Sequence, residues 1–355
     1  MRVAVPLQRD EAEGWDGAVA FAAEAERLGV HSVWTAEAWG FDAVTPLAFV
    51  AARTSRIGLG TGIMQVGART PAMVAMTALT MRSLTGGRFI LGLGASGPQV
   101  MEGWHGVPFD HPVQRTREAI EIVRRVLRGE RLEYQGEVYR LPLPGGRGRA
   151  LRGAAPPGDV PIYVASLAPR SLEMTGELCD GWVGASFVPE SAEVFLGPLR
   201  AGAERARRTL DDLDLQVAVA VEFGDDVEAI ARRHARGYAF TFGAMGSPTR
   251  NFYLDAFVRQ GFGEAARAVQ RLWLDGRREE AASRVPLELA LKTNLLGTEG
   301  AVRERLRAYR SAGITTLRAT IRGETPAARM ETMGRLVSLV REVDAEARES
   351  RLAAP

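Results

Sequence analysis

The sequence predicts a (β/α)₈ (TIM) barrel, in which eight parallel strands are each followed by a helix. The first observation is that eight short runs rich in Val, Ile, Leu and Gly alternate with longer segments of helical periodicity. The second is that these runs are continuously apolar, as parallel strands covered on both faces require. The third is their number, because an open doubly wound sheet, which stays an alternative, usually has fewer strands.

The eight units follow one another from the amino terminus to the carboxyl terminus. By residue number, strand first and helix second, they are 3–7 and 16–28, 32–37 and 46–54, 57–64 and 71–84, 89–95 and 112–127, 162–166 and 170–179, 181–186 and 199–210, 216–223 and a long helical region, and 316–322 and 327–343.

Two segments are too long to be simple connections. Residues 129–160 are rich in Gly, Pro and Arg and contain a hairpin-like LEYQGEVYRL, with Gln135 and Gly136 at the expected turn. Residues 225–296 read as mainly helical. No stretch has the composition of an interdomain linker, so residues 1–355 are predicted to form a single barrel domain with two insertions.

Composition excludes several classes of function. A formal net charge of +2, with arginines interleaved with acidic residues, gives no sign of a nucleic-acid partner. The single cysteine, Cys179, lies in an apolar helical stretch and is expected to be a buried, inert thiol. The apolar run in MRVAVPLQRDE is too short for a secretory signal to be expected, and no apolar run is long enough to span a membrane. We therefore expect a cytoplasmic protein.

If the barrel is right, the site lies at the carboxyl ends of the strands. That rule selects residues 36–39, 61–65, 94–99, 165–167 and 184–187, which are small and nearly uncharged, with Glu37 the exception. Small residues let the backbone approach a flat ring or a phosphate closely. Tight turns also use Gly and Ser for geometry alone, but five such turns on one face favour a ligand site.

The same segments lack reactive side chains of their own. No metal cluster, nucleophile–base pair or carboxylate dyad stands out, and the four histidines occur in unrelated contexts. GLGASG resembles a dinucleotide fingerprint only superficially. A small-residue cradle of this kind suggests that a bound organic cofactor performs the chemistry.

At these residues the sequence resembles the luciferase-like monooxygenase superfamily, and most of all its branch of oxidoreductases that use the deazaflavin coenzyme F420. The motifs that carry the resemblance are VWTAEAWGFDAVTPLAF, IGLGTGIMQVGARTPAMVAM, GGRFILGLGASGPQVMEGWHG, PIYVASLAPRSLEMTGELCDGW and YAFTFGAMGSPTRNFY. The resemblance implies a bacterial-luciferase-like barrel. It is more specific for the superfamily than for the cofactor, because FMN enzymes share the scaffold.

The resemblance also implies where the cofactor would be bound. Gly62 and Ile63 match a non-prolyl cis peptide behind the ring, and Met64 follows them. Three further segments match the family's contacts with the ring, the ribityl chain and the phosphate. Their residues are Gly94, Ala95, Ser96 and Gly97; Ala165, Ser166 and Leu167; and Gly184, Ala185 and Ser186.

Glu37 matches an acidic position near the reactive edge, where it would donate a proton or orient the ring; pairing near a helix start is the alternative. Trp39 would wall the substrate pocket or pack on the barrel rim. Two departures disfavour oxidation of a sugar phosphate: Ala38 stands where many relatives have His, and Gly97 where the sugar-phosphate dehydrogenases have a catalytic Glu.

Residues 102–105 (EGWH) are expected to form a structural turn, although a role for His105 is open. Arg250 and Asn251 could reach the cofactor tail or substrate, or could serve in subunit contact or helix capping.

The function expected from the resemblance is hydride transfer between C5 of F420 and a small organic substrate. The first alternative is an FMN-dependent monooxygenase on the same scaffold, and the second is a non-catalytic binding or partner subunit. Barrels of this family commonly pair through helices, so we expect a homodimer or a higher even oligomer, with residues 225–296 offering apolar surface.

Overall fold

The computed structural model describes residues 1–9, 11, 13–245 and 251–352. These residues form a closed barrel of eight parallel strands surrounded by helices, which confirms the predicted fold class. The strands of the described chain are β1 (Arg2–Pro6), β2 (Ser32–Thr35), β3 (Gly58–Thr61), β4 (Met64–Gln65), β5 (Phe89–Gly94), β6 (Tyr134–Gln135), β7 (Arg140–Leu141), β8 (Ile162–Ala165), β9 (Gly181–Gly184), β10 (Asp214–Phe223), β11 (Leu295–Gly297) and β12 (Thr316–Ile321).

The helices lie mainly between successive strands, on the outside of the barrel. They are α1 (Gly14–Leu28), α2 (Thr45–Ala51), α3 (Pro71–Leu84), α4 (Pro98–Met101), α5 (Pro112–Leu127), α6 (Pro169–Leu178), α7 (Glu193–Arg205), α8 (Val227–Gly243), α9 (Phe252–Phe257), α10 (Gly263–Leu274), α11 (Arg278–Arg284), α12 (Leu287–Thr293), α13 (Glu299–Ser311) and α14 (Pro326–Leu352).

Hydrogen bonding closes the barrel in the order β12, β1, β2, β3, β5, β8, β9 and β10, and β10 then pairs with β12. The closing pair sets Asp214 of β10 beside Gly181 of β9. Two short strands extend the sheet at its carboxyl end, where β4 pairs with β5 and β11 pairs with the end of β10. Each of the eight predicted strands appears as a barrel strand.

Side chains on the two faces of the strands have different neighbours, because successive residues of a strand point to opposite faces. Those facing outward, such as Val33 and Leu59, join the large core between strands and helices. The inward side holds a smaller cluster that includes Trp34 and Tyr163. A Cβ on Gly60 would lie 2.5 Å from the Trp34 ring, so glycine there leaves room for the indole that fills the barrel centre.

A hydrogen-bonded network closes the amino end of the barrel around Asp214. Its carboxylate pairs with Arg2 at 2.7 Å and accepts hydrogen bonds from the hydroxyls of Tyr163, Thr315 and Thr316. Burial, together with this carboxylate, raises the pKa of the Tyr163 hydroxyl well above its usual range. The acidic group inside this end of the barrel is therefore fully paired.

The two insertions lie at opposite ends of the barrel. Residues 129–160 precede a strand, β8, and so lie at the amino end; they include the predicted hairpin, formed by β6 and β7. The expected turn was misplaced, because Gln135 pairs with Arg140 and the connection is residues 136–139. The carboxylate of Glu118 accepts hydrogen bonds from the backbone N–H groups of residues 137–139, and these bonds stabilise the wider loop.

Residues 225–296 follow β10, so they begin at the carboxyl end, where active sites of such barrels lie. Helices α8 to α12 pack there around their own hydrophobic cluster, which includes Phe242, Phe257 and Leu289. This insertion, unlike the first, is placed to reach the site.

One predicted helix was displaced. Residues 199–210 were expected to be helical, but α7 begins at Glu193 and ends at Arg205, with Pro198 inside it. Burial of Phe195 and Leu196 secures the first turns of this helix despite the proline. No helix of the described chain is long and apolar enough to cross a membrane.

Candidate cofactor site at the carboxyl end of the barrel

The structure brings the five predicted turns to one mouth. The N–H of Gly62 donates to the carbonyl of Thr35 at 2.5 Å, joining the ends of β2 and β3. Gly94 lies in register with Ala165, and Ala165 with Val183, which joins the ends of β5, β8 and β9. The turns therefore form a continuous surface.

The peptide bond between Gly62 and Ile63 is cis, as the resemblance implied. A Cβ on Gly62 would lie 2.5 Å from Nη1 of Arg318 and 3.1 Å from the Trp34 ring. A Cβ on Gly94 would lie 2.9 Å from the Ile63 side chain. Glycine at both positions therefore creates a flat wall on which side chains from other strands rest.

Two of the predicted turns contain a serine with positive φ. Ser96 has φ of 64° and Ser186 has φ of 58°, a left-handed conformation that non-glycine residues adopt infrequently. Both lie directly after a strand end at the mouth. The Ser96 hydroxyl has no hydrogen-bond partner within the described ranges, so it is free to bind a ligand.

Three predicted residues face the helices instead of the mouth. Met64 is fully buried in the outer core. The Ser166 hydroxyl lies 3.0 Å from that of Thr175 on α6. A Cβ on Gly184 would lie 2.6 Å from the Trp182 ring, so that glycine makes room for an indole. Any contact of these three with a cofactor at the mouth would come from backbone atoms.

Glu37 lies at the mouth, but its carboxylate is engaged within the protein. Its two oxygens accept hydrogen bonds from Nη1 and Nη2 of Arg69, at 2.5 and 2.9 Å. They also accept hydrogen bonds from the backbone N–H of Gln65 at 2.9 Å and from that of Ala43 at 3.2 Å. These contacts connect the loop after β2 to that after β4. Trp39, on the first of these loops, is 61% exposed.

Gln65 connects the same region to a third loop. Its amide nitrogen donates to the carbonyls of Glu37 and Ala38, and its amide oxygen lies 2.7 Å from Nε2 of His105. The EGWH segment is therefore attached to the mouth through His105. The neighbouring Trp104 is 64% exposed.

The second insertion contacts the site through two consecutive residues, Arg259 and Gln260. Arg259 donates to the carbonyl of Leu167 at 2.6 Å, while its Nε is buried without a partner among the described residues. The Gln260 amide donates to the carbonyl of Ser186 at 2.7 Å and accepts the N–H of Val188 at 2.8 Å. The turns after β8 and β9 are thus positioned by the insertion.

The family model for luciferase-like monooxygenases matches residues 2–316, from β1 into β12. The chain belongs to the luciferase-like monooxygenase family.

Relatives within the family agree with this assignment. A protein of Mycobacterium tuberculosis whose name describes a coenzyme F420-dependent oxidoreductase is 40% identical over 84% of this chain and 88% of its own length. The 5,10-methylenetetrahydromethanopterin reductase of Methanolobus tindarius is 31% identical over 70% of this chain and 72% of its own. The F420-dependent tetrahydromethanopterin reductase structure from Methanopyrus kandleri, 21% identical, superposes with a TM-score of 0.77 over 96% of this chain and 98% of that chain, which supports the fold.

The sequence interpretation missed several residues of this luciferase-like site. Arg259, Gln260 and Arg318 belong to distant segments whose local pattern is ordinary helix or strand. The one available signal was the RQG of residues 259–261, where Gly261 has a φ of 93° and interrupts the helix.

The open question about Asn251 is resolved in favour of capping. Its side-chain oxygen accepts the N–H groups of Tyr253 and Leu254 at the start of α9, and its amide donates to carbonyls at the end of α8. Arg250 lies outside the described residues. Within the described ranges, no group of three or more His, Cys, Asp and Glu side chains is placed to hold a metal ion.

Proposed function

We propose that this protein is an oxidoreductase that binds coenzyme F420 in the barrel mouth and transfers a hydride between its C5 and a small organic substrate in the cytoplasm. The observation that carries the proposal is the mouth itself, a wall of small residues beside which the Nε of Arg259 has no partner among the described residues. The name of the Mycobacterium tuberculosis relative supports the choice of cofactor.

The residues present fit a flat ring with an anionic tail. Gly62, Ile63 and Gly94 give a low wall against which a planar ring can lie, above the indole of Trp34. The orphaned Nε of Arg259, beside the turn after β8, supplies a donor for an anionic group. F420 supplies a carbon that carries a hydride and reacts poorly with oxygen.

Each segment then has a specific part in binding. Gly62, Ile63 and Gly94 back the ring, and the Ser96 hydroxyl and Ser186 turn offer hydrogen bonds to the phosphate side. The remaining predicted contacts, from Met64, Ala95, Gly97, Ala165, Ser166, Leu167, Gly184 and Ala185, are through small side chains or backbone. Together they orient the ring and exclude water from one face.

Glu37 acts as a positioning residue in this proposal. A carboxylate that accepts two hydrogen bonds from Arg69 and two from backbone N–H groups fixes the loops after β2 and β4. Trp39 follows on the first loop, and its exposed indole forms one wall of the substrate pocket.

The FMN-dependent monooxygenase is the alternative on the same fold, and a non-catalytic subunit is a further one. The two cofactors differ in charge, since F420 carries a phosphodiester and several carboxylates beyond the ring and FMN carries one terminal phosphate. Arg259, beside the turn after β8, favours the longer anionic tail.

Titration of the purified protein with each cofactor separates these hypotheses. F420 should bind more tightly than FMN, and its affinity should weaken with salt, because exposed charge contacts are screened over about 8–10 Å at physiological ionic strength.

Ser96→Ala should weaken F420 binding roughly tenfold, as loss of a hydrogen bond to a charged group does, whereas Ser83→Ala on exposed α3 surface should not. Equal or tighter FMN binding, with oxygen consumption by the reduced complex, would establish the monooxygenase instead.

We also propose that the protein is a homodimer, through a different surface from the one the sequence suggested. Within the described part of residues 225–296 the exposed large apolar side chains are Phe240 and Leu274. On α3, by contrast, Met73, Met76 and Leu84 are 49–65% exposed and lie on one stripe at spacings of three and eight residues. Exposed apolar side chains that lie together on a surface mark contact sites, so this stripe suits a second copy.

Charge substitution on each surface tests the dimer. Met76→Glu should convert the dimer to a monomer by light scattering at micromolar concentration, because it places a carboxylate in a desolvated interface. Leu274→Glu, a matched change at an equally apolar exposed site, should leave the dimer intact. A monomeric wild type, or dissociation by Leu274→Glu alone, would contradict this interface.

A further inference from the structure

Arg318 occupies an unusual position for a charged side chain. It lies in β12, in register with Ala4 of β1 and Ala218 of β10, and Ala4 belongs to the cluster inside the barrel. Its guanidinium therefore points inward, and Nη1 lies where a side chain at Gly62 would begin. A cation thus lies against the cis peptide that backs the proposed ring site.

Nothing in the described chain neutralises this cation. It has no hydrogen bond or ion pair with any described residue, and its one ionisable neighbour among them, the Tyr253 hydroxyl of α9, is kept neutral because burial raises its pKa. Burial lowers the pKa of Arg318 to about 10, which still leaves it protonated at neutral pH. The side chain is partly buried at the mouth, so a bound anion is placed to neutralise a charge that the described residues leave without a partner.

The neighbouring strand adds a second unsatisfied group. Gln216 of β10 is 1% exposed, and both polar atoms of its amide lack partners among the described residues. It lies in register with Val183, which faces the interior, so the amide does too. At the amino end of the barrel, by contrast, Asp214 is fully paired. Arg318 and Gln216 therefore place two polar groups without partners among the described residues on adjacent strands inside the barrel.

The ligand that satisfies Arg318 must bring negative charge to a flat wall. The deazaflavin ring of F420 carries an acidic hydroxyl, and once its proton is lost the charge is delocalised over the conjugated ring. The oxidised ring of FMN is neutral at neutral pH. A lone cation beside the ring therefore stabilises one cofactor over the other and tunes its electronics, as charges near such rings do.

We propose that Arg318 is the counter-cation of the bound deazaflavin ring, which selects the anionic ring of F420 over that of FMN. This inference rests on the proposed function. Arg318 is accordingly a cofactor-binding residue whose charge is left unpaired until the ring arrives.

The test compares Arg318→Met and Arg318→Lys with the wild type, with Arg200→Met as a control that removes the same charge from an exposed pair with Glu193. Arg318→Met should raise the Kd for F420 roughly ten- to a hundredfold and leave that for FMN unchanged. Arg318→Lys should recover part of the loss, and Arg200→Met should resemble the wild type.

A spectroscopic titration gives an independent readout. A nearby cation favours the deprotonated ring, so the pKa of the bound ring hydroxyl should lie below that of free F420 and return toward it in Arg318→Met. Arg318 stays protonated, and its ionisable neighbour Tyr253 stays neutral because burial raises the pKa of the Tyr253 hydroxyl. Absorbance against pH therefore reports on the cofactor.

The stability of the cofactor-free protein separates a binding role from a structural one. Removal of a partly buried charge that has no partner among the described residues should leave the melting temperature of Arg318→Met equal to the wild type's or higher. A lower melting temperature with unchanged Kd and ring pKa would assign Arg318 to the fold and overturn the proposal. Failure of the wild type to bind F420 would instead refute the proposed function, so the two failures are distinguishable.

Discussion

Replacement of Gly202 by alanine should lower the free energy of unfolding by about 3 kcal/mol, the upper end of the usual cost of overpacking. Helices α6 and α7 cross at two glycines. A Cβ on Gly202 would overlap the backbone carbonyl of Glu173, and one on Gly176 would overlap that of Leu199. Backbone atoms cannot rotate away as a side chain can, so the helices must separate. Urea unfolding of the variant measures the loss.

A glycine in another helix provides the matched control. Gly237 lies in the interior of α8, and a Cβ built there meets nothing within 4 Å. Gly237→Ala should therefore stabilise the protein by about 0.5–1 kcal/mol, the helix-propensity difference between the two residues. Similar losses for Gly202→Ala and Gly237→Ala would show that the helix crossing is not the cause.

Replacement of Gln260 by leucine should weaken F420 binding roughly ten- to a hundredfold. The amide of Gln260 holds the carbonyl of Ser186 and the N–H of Val188, and an apolar side chain would leave both without this buried partner. Leaving such groups without a hydrogen bond costs about 1–3 kcal/mol. The turn can avoid this cost by moving so that both groups reach water, and it then no longer has the geometry that binds the cofactor. Isothermal titration with F420 measures the change.

The position of the turn can be followed without the cofactor. Hydrogen exchange at Val188 should accelerate in Gln260→Leu, since its N–H donates to the Gln260 side chain at 2.8 Å. Gln114→Leu is the control, because Gln114 donates to Glu118 on α5, near the other insertion. Unchanged exchange together with unchanged affinity in Gln260→Leu would mean that the insertion does not position the turn.

The sequence by itself determined the order and type of the barrel elements. A parallel strand that is buried on both faces needs an unbroken apolar run, as in residues 89–95 and 162–166. Such a run can be recognised from the local sequence alone. The glycine-rich turns at Gly62 and Gly94 were found for the same reason. A backbone that must lie close to a flat surface requires small residues, which are visible in the local composition. The cis peptide was predicted from the resemblance to a known family.

Only the tertiary structure decided which polar side chains complete the site. Gln260 contacts Ser186, 74 residues away, and Arg318 reaches Gly62 from the last barrel strand. Likewise, whether Glu37 faces a ligand or an arginine depends on the position of Arg69 in space. Local periodicity tells which face of an element is apolar but not which element it meets. The partners of a buried polar group are set by the closure of the whole barrel, which brings distant strand ends to one mouth.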